Sequence, residues 1–483
     1  MQTVVRGLAS VYDIEHLVRL FYPGAEIRPR RTRGQDAVIA HLGRRRMLAG
    51  LCCAGQCSWE YAPLPGPDDN QTPEYALAAL VYRLLCRRTG KRPPWGMLTG
   101  VRPVRIIHDS RAKGMSESEI RRLFCHKYDV TDEKFELALD IANRQSPWMQ
   151  ADERDYSLYI GIPFCPSRCS YCSFVSRTIE KEKKLVQPYV DLLCRELEDI
   201  RSLADHNRLH LKTIYIGGGT PTSLSADQLR QLMGTVRRLY DLGDIQEYTV
   251  EAGRPDCTDL EKLEVLKEYG ATRISINPQT LSDEVLARIG RRHTAEDVIR
   301  CFEQARSVGH TNINMDLIAG LPGDTPDGFS ATLDGVLTLS PENITVHTLT
   351  LKRASNLVIE QRQEEYGDVA QMISRCNVLG KAGYAPYYLY RQKGTLQNLE
   401  NTGWCKPGYE GLYNIYIMEE VHTILSAGAG GSTKLRQQKG NLIKRVFNYK
   451  YPLDYINGFD AVLQRKEGVN DFYARYVDSQ TSG

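Results

Sequence analysis

Between residues 158 and 349, six short apolar runs alternate with amphipathic stretches of helical period, and this alternation limits the possible folds more than any other feature. The runs are 158–162, 213–216, 247–251, 273–276, 312–317 and 344–349. The helical stretches between them are 189–203, 225–239, 258–269, 294–308 and 328–339. Strand–helix alternation implies a parallel sheet with helical crossovers, either open or curved into a barrel. Six strands are a partial barrel's worth. The expected fold class is therefore α/β, with a partial (β/α)6 TIM-like barrel over residues 151–350. In such barrels chemistry gathers at the C-terminal strand ends.

The flanking regions read differently. Residues 1–150 look like a mixed α/β accessory domain. Strands are expected at 37–42 and 47–53, a turn-rich loop at 63–73, a helix at 74–88 and two more helices within 116–144. Cys52, Cys53 and Cys57 read as buried or incidental thiols, because adjacent cysteines make poor co-ligands. After residue 350 the alternation stops, and 351–483 read as an α+β region rich in tyrosine.

The loop after the first barrel strand carries Cys165, Cys169 and Cys172, spaced C-x3-C-x2-C. Three thiolates at that spacing hold three irons of a [4Fe–4S] cluster and leave the fourth open to a small molecule, whereas electron-transfer clusters normally take four cysteines. Structural zinc and unpaired core thiols are the competing readings. Zinc wants four ligands, and the nearest candidates, Cys194 and His206, stand at no usual spacing. The 13 cysteines of the chain show no paired pattern, which points to a reducing cytoplasm rather than a disulfide framework. No apolar run is long enough to span a membrane, and the first residues lack the pattern of a secretory signal. Net charge is +3, yet residues 1–150 hold 23 basic against 16 acidic side chains, with clusters at Arg28–Arg33 and Arg44–Arg46. No zinc-finger or RNP-type signature accompanies them, so a solvated basic face is expected and nucleic acid is not.

Further features fall at or just after the other strand ends. Gly217-Gly218-Gly219-Thr220-Pro221-Thr222 follows the second strand, and glycines there allow close backbone approach to a ligand. Glu251 ends the third strand, before Ala252-Gly253-Arg254-Pro255. Gln279 ends the fourth, followed by Gly290-Arg291-Arg292-His293. Asp316 lies at the fifth, before Gly320-Leu321-Pro322-Gly323. Each alone reads as a strand-end charge facing solvent, and His293 alone as a structural histidine. Together they describe one polar cavity facing the cysteine loop. Its carboxylates suit hydroxyls or an ammonium, and its guanidinium suits a carboxylate, the groups carried by S-adenosylmethionine.

On the segment Tyr159 to Cys165, the GGGTPT turn, Arg273 to Thr280 and Asn314 to Pro322, residues 156 to about 435 resemble a radical S-adenosylmethionine enzyme. The branch they resemble is that of oxygen-independent coproporphyrinogen III oxidase, and within it the HemZ-type coproporphyrinogen dehydrogenases. The stretch Pro94 to Pro103 resembles the extra N-terminal domain of that type. The resemblance implies that Cys165, Cys169 and Cys172 ligate the cluster. It implies that S-adenosylmethionine chelates the open iron and is cleaved to methionine and a 5′-deoxyadenosyl radical. That radical takes a hydrogen from a porphyrinogen propionate, and loss of CO2 and one electron leaves a vinyl group. By motif position Tyr159, Tyr171, Gly218, Gly219, Thr220 and Glu251 match contacts to a first S-adenosylmethionine. Gln279, Arg291 and Asp316 match contacts to a second. A tetrapyrrole substrate and an electron donor such as flavodoxin or ferredoxin are the implied partners. No catalytic side chain is singled out.

Two positions depart from the branch patterns. Phe174 stands where the classical oxidase has a further cysteine, an ending shared with the haem-chaperone branch. That branch in turn carries a haem-binding His-Asn-x-x-Tyr-Trp, and the matching stretch here is Tyr413-Asn414-Ile415-Tyr416-Ile417-Met418, with tyrosine in place of histidine. A haem-binding chaperone and a radical methyltransferase acting on haem or another flat substrate are the alternative readings. Tyr384, Tyr387, Tyr388, Tyr390, Tyr409, Tyr413 and Tyr416, with Arg353, Arg391, Lys393 and Lys406, suit either a tetrapyrrole wall or a packing surface.

Overall fold

The computed structural model describes residues 1–66, 69, 71–173, 177–360, 365–440 and 442–480. Phe174 lies outside the described residues, as do Pro67, Asp68 and Asn70 of the turn-rich loop. The chain forms two compact units, Met1–Leu139 with Arg391–Leu399, and Asp140–Tyr390 with Glu400–Gly483.

The first unit is built on a five-stranded sheet in the order β2-β1-β3-β4-β5. Its strands are β1 (Gln2–Arg6), β2 (Glu26–Ile27), β3 (Ala37–Leu42), β4 (Arg46–Cys53) and β5 (Gln56–Pro63). The helices Tyr12–Phe21 and Pro73–Thr89 pack Leu17, Val18, Leu77 and Val81 against Val38, Ala40 and Ala49. The second helix starts on Thr72, whose side chain caps Tyr75 N at 3.2 Å, and stops at Gly90 in the left-handed region. The two helices expected within 116–144 appear as Glu117–Arg121, running on into a wider turn Arg122–Lys127, and Asp132–Gln145. The reading of Cys52 and Cys57 as unlinked thiols is corrected. The β4–β5 register sets them directly opposite each other and they are joined in a disulfide, which leaves Cys53 outside the bond.

In the second unit six parallel strands form the expected partial barrel, flanked by further strands. The barrel strands are β6 (Asp155–Ile162), β9 (His210–Gly218), β10 (Glu247–Glu251), β11 (Arg273–Ser275), β12 (Ile313–Ala319) and β13 (Asn343–Thr348). Two-residue strands β7 (Phe164–Cys165) and β8 (Arg177–Thr178) pair beside the cysteine loop. The crossover helices Lys183–His206, Ala226–Leu239, Leu260–Glu268, Ala295–Ser307 and Pro326–Leu339 match the periodic stretches. Four of them begin on a side-chain cap, from Ser225, Asp259, Thr294 and Thr325, which satisfies donors that a helix start leaves open.

Beyond residue 350 the chain rejoins the same sheet. Its strands are β14 (Ala385–Arg391), β15 (Glu400–Cys405), β16 (Thr423–Ala427), β17 (Ser432–Arg436) and β18 (Ile443–Phe447). The full order is β14-β15-β13-β12-β11-β10-β9-β6-β16-β17-β18. β16 lies parallel to β6, so the turn Gly428–Gly431 ends beside the start of the cysteine loop. Of the two readings of the tyrosine-rich region, most of its tyrosines are found in packing positions. Tyr384, Tyr387, Tyr388, Tyr413 and Tyr416 are all buried, and Tyr387, Tyr388 and Tyr416 share a core with Leu412 and Ile415. Arg391 and Lys393 belong to the first unit, bonded to Leu98 and Gly100 and to Tyr12 respectively. Among the described residues no helix is long and apolar enough to cross a membrane.

Candidate active site

The cysteine loop is held from four strand ends at once. Thr220 Oγ1, after β9, donates to Cys165 Sγ at 3.5 Å. Arg254, after β10, reaches Ser167 O at 3.0 Å and Cys169 Sγ at 3.7 Å. After β11, Ile289 O accepts from Ser170 N at 3.0 Å, and Gly290 O accepts from Ser167 Oγ at 3.2 Å. After β13, Leu357 N donates to Ser170 O at 3.0 Å, and Arg168 donates to Ala354 O at 2.6 Å. Cys169 is buried, and Cys165 and Cys172 are half-buried. Among the described residues no three His, Cys, Asp or Glu side chains converge on a single-ion site.

The GGG turn lies against this loop through its backbone. Gly219 N donates to Ile162 O at 2.7 Å and Thr220 N to Phe164 O at 2.8 Å. A Cβ on Gly219 would fall 2.5 Å from Phe164 O, and Gly218 sits at φ +112° with Tyr159 OH beside it. Tyr159, Tyr215 and Tyr413 stack, with the rings of Tyr215 and Tyr413 centred 4.4 Å apart. Tyr215 OH donates to Glu251 Oε1 at 2.6 Å. Burial pushes the Glu251 carboxyl up to about 7, and nearby Asp316 adds to the rise against the opposing Tyr215 bond.

The second group of expected residues also assembles. Gln279 adopts φ +70°, exchanges backbone bonds with Asp316 and Ile318, and leaves its Oε1 buried without a partner. Arg291 donates to Asn277 O at 2.7 Å and to Tyr171 OH at 3.2 Å, while its Nε is buried and unbonded. Asp316 accepts from Asn314 at 2.7 Å and faces His347 Nε2 at 3.7 Å. Burial pushes the Asp316 carboxyl up, but His347, Asn314 and Arg273 outweigh it and hold it below the usual range.

Three side chains at the site had no role in the sequence reading. Tyr215 shares the β9 face of Gly217 and Thr213, so strand alternation points it inward. His347 is the penultimate residue of β13, and its Nδ1 lies 3.1 Å from Tyr390 OH. Arg254 follows the Glu251 strand end directly, but one arginine in a loop carries no signal until its partners are visible. His293, read alone as structural, is buried 3.7 Å from Asp256.

The profile of the radical SAM superfamily matches residues 159–335. The chain is 41% identical over 398 residues to the oxygen-independent coproporphyrinogen-III oxidase-like protein HemZ of Bacillus subtilis, covering 81% of this chain and 79% of that protein. It is 36% identical over 286 residues to the heme chaperone HemW of the same organism, covering 57% and 70%. Among solved structures, coproporphyrinogen III oxidase HemN of Escherichia coli superposes with a TM-score of 0.50 at 23% identity, over 66% of this chain and 72% of that one. The chain therefore belongs to the oxygen-independent coproporphyrinogen-III oxidase-like family of radical SAM proteins, a superfamily that uses a [4Fe–4S] cluster and S-adenosylmethionine.

Proposed function

We propose that the protein catalyses oxidative decarboxylation of two propionates of coproporphyrinogen III, giving protoporphyrinogen IX, in haem biosynthesis. The observation that carries this reading over a haem-carrying one is Tyr413. It occupies the position of the chaperone branch's haem-binding histidine, and its ring is 4% exposed and stacked inside the barrel on Tyr215. A phenol so placed offers no axial ligand to an incoming haem.

The residues present fit the expected cofactors. Three thiols on one loop supply a soft donor set with one iron left over. The glycine turn leaves backbone where a Cβ would intrude, and Gln279 Oε1 and Arg291 Nε are buried polar atoms without partners. In this reading Cys165, Cys169 and Cys172 hold the cluster. Tyr159, Tyr171, Gly218, Gly219, Thr220 and Glu251 hold one S-adenosylmethionine, and Gln279, Arg291 and Asp316 hold a second. When bound, the cofactors would supply one-electron chemistry at a propionate C–H bond of the substrate. The chain's own part is placement. Tyr215 orients Glu251, Tyr171 and Asn277 aim Arg291, and the segment 354–357 closes over Ser170. Residues 1–150 serve as an accessory domain, 151–350 as the catalytic barrel and 351–483 as the region covering the substrate. A flavodoxin- or ferredoxin-type donor supplies the electron.

The 36% identity to a heme chaperone favours haem binding as the second reading. One anaerobic assay separates the two. Protein reconstituted with iron and sulfide is given reductant, S-adenosylmethionine and coproporphyrinogen III, and products are analysed by mass spectrometry. Protoporphyrin IX after oxidation, with 5′-deoxyadenosine, is the expected result, and Cys169→Ala abolishes both. 5′-Deoxyadenosine without tetrapyrrole change refutes this substrate, and a stoichiometric haem complex without turnover establishes the carrier.

A further inference from the structure

Arg254 is 4% exposed and lies just beyond β10. Its guanidinium is gripped on one side by both oxygens of Asp256, Nε to Oδ1 at 2.9 Å and Nη2 to Oδ2 at 2.7 Å. On the other side Nη1 donates to Ser167 O at 3.0 Å and approaches Cys169 Sγ at 3.7 Å. Behind Asp256 stands His293, with Nδ1 3.7 Å from Oδ1 and a side chain that is 0% exposed. A sealed guanidinium is costly unless a carboxylate is built in beside it. Here the carboxylate holds the fork so that its remaining N–H faces the cysteine loop. A lysine has no planar fork and would make only one of these contacts well.

We propose that Arg254 is a positioning residue for the cluster, fixing Cys169 and holding a permanent positive charge and an N–H donor against that sulfur. The inference rests on the reading of Cys169 as a ligand and not on the substrate. One-electron reduction of a cluster adds negative charge. A cation and a hydrogen bond at a ligand sulfur favour the reduced form, and both are known levers on cluster potential. Asp256 is negative but lies on the far side of the guanidinium, so the nearer positive end dominates at Cys169. The arrangement therefore eases entry of the electron that the site needs.

The test compares wild-type protein with Arg254→Met and Asp256→Asn after anaerobic reconstitution. Iron and sulfide content is measured first, then the midpoint potential by titration with dithionite followed by EPR. Arg254→Met is expected to keep its cluster while the reduction equilibrium constant falls about tenfold, equivalent to about 59 mV for one electron. Asp256→Asn retains the guanidinium and loses the opposing charge, so its potential is expected to rise. Loaded Arg254→Met at the wild-type potential, or both variants shifting in one direction, overturns the proposal. Should Arg254→Met fail to retain iron, Asp256→Asn decides: a rise supports the proposal and any other result overturns it. Wild-type protein that takes up no iron overturns the ligand reading and this inference with it, whereas a loaded wild type with unshifted variants overturns this inference alone.

Discussion

Glu251 shows how one side chain at this site couples fold to pH. Burial raises its carboxyl from an ordinary 4.5 to about 7, so between those values the folded cluster-free protein keeps a proton that the unfolded chain has lost. A raised carboxyl contributes stability that is full below the unfolded value. That contribution drains away as pH climbs through the folded one, here between about 4.5 and about 7. The loss across that window is at most on the order of 3 kcal/mol, and less because the residue is only partly buried. Urea unfolding of cluster-free wild type and Glu251→Gln at pH 5 and pH 8 measures it. The variant is expected to gain on the wild type as pH rises. A difference independent of pH would mean that the carboxylate is already compensated in the fold. Neighbouring Asp316 behaves in the opposite way, because His347 and Asn314 compensate its burial.

At the scale of elements, the turn after β9 is where backbone and site are most tightly joined. A Cβ on Gly219 would lie 2.5 Å from Phe164 O and 2.9 Å from Ile162 O, both backbone atoms of the segment that leads from β6 into the cysteine loop. Gly219→Ala must displace one or the other, at roughly 1–3 kcal/mol. S-Adenosylmethionine binding, measured by anaerobic equilibrium dialysis, is expected to weaken at least tenfold, with far-UV circular dichroism unchanged. Gly380 is the contrast. It is exposed in the helix Asn377–Lys381 with nothing within 4 Å of its Cβ position, so Gly380→Ala is expected to stabilise by about 0.5–1 kcal/mol without touching binding. The barrel elements were legible in sequence because their apolar faces repeat with a strand or helix period, and the expected Glu247–Glu251 strand agrees to the residue. β14 to β18 were not legible. Ala385–Arg391 reads as a tyrosine cluster, and its burial on nearly every position hides the alternation that marks a half-exposed strand. Arg254 was invisible for another reason: its meaning lies in contacts with Ser167, Cys169 and Asp256, which only the fold assembles.

Across the second unit as a whole, one buried carboxylate ties the last helices of the chain to the barrel. Glu196, on the helix Lys183–His206, is 0% exposed. It accepts from Gly428 N at 2.7 Å, Asn448 Nδ2 at 2.7 Å and Tyr455 OH at 2.6 Å, and it pairs with Lys466 Nζ at 2.9 Å. Lys466 also donates to Ser426 O at 2.6 Å, and Tyr189, two turns before Glu196 on the same helical face, bonds Gly161 O and Ala429 N. The turn at Gly428–Gly431 is thereby pinned beside the strand that leads into Cys165. Lys466→Met leaves Glu196 as a sealed charge without its cation, and breaking such a pair costs about 3–5 kcal/mol. Replacing both partners removes the stranded charge, so Glu196→Gln with Lys466→Met is expected to recover at least half of that loss, although Gly428, Asn448 and Tyr455 then meet a weaker acceptor. Denaturant unfolding of the two single variants and the double variant measures the coupling. Iron retention after reconstitution reports whether the turn has moved, and it is expected to fall in Lys466→Met and return in the double variant. Additive losses would show that Glu196 and Lys466 act independently, leaving the placement of Gly428 to backbone bonds alone.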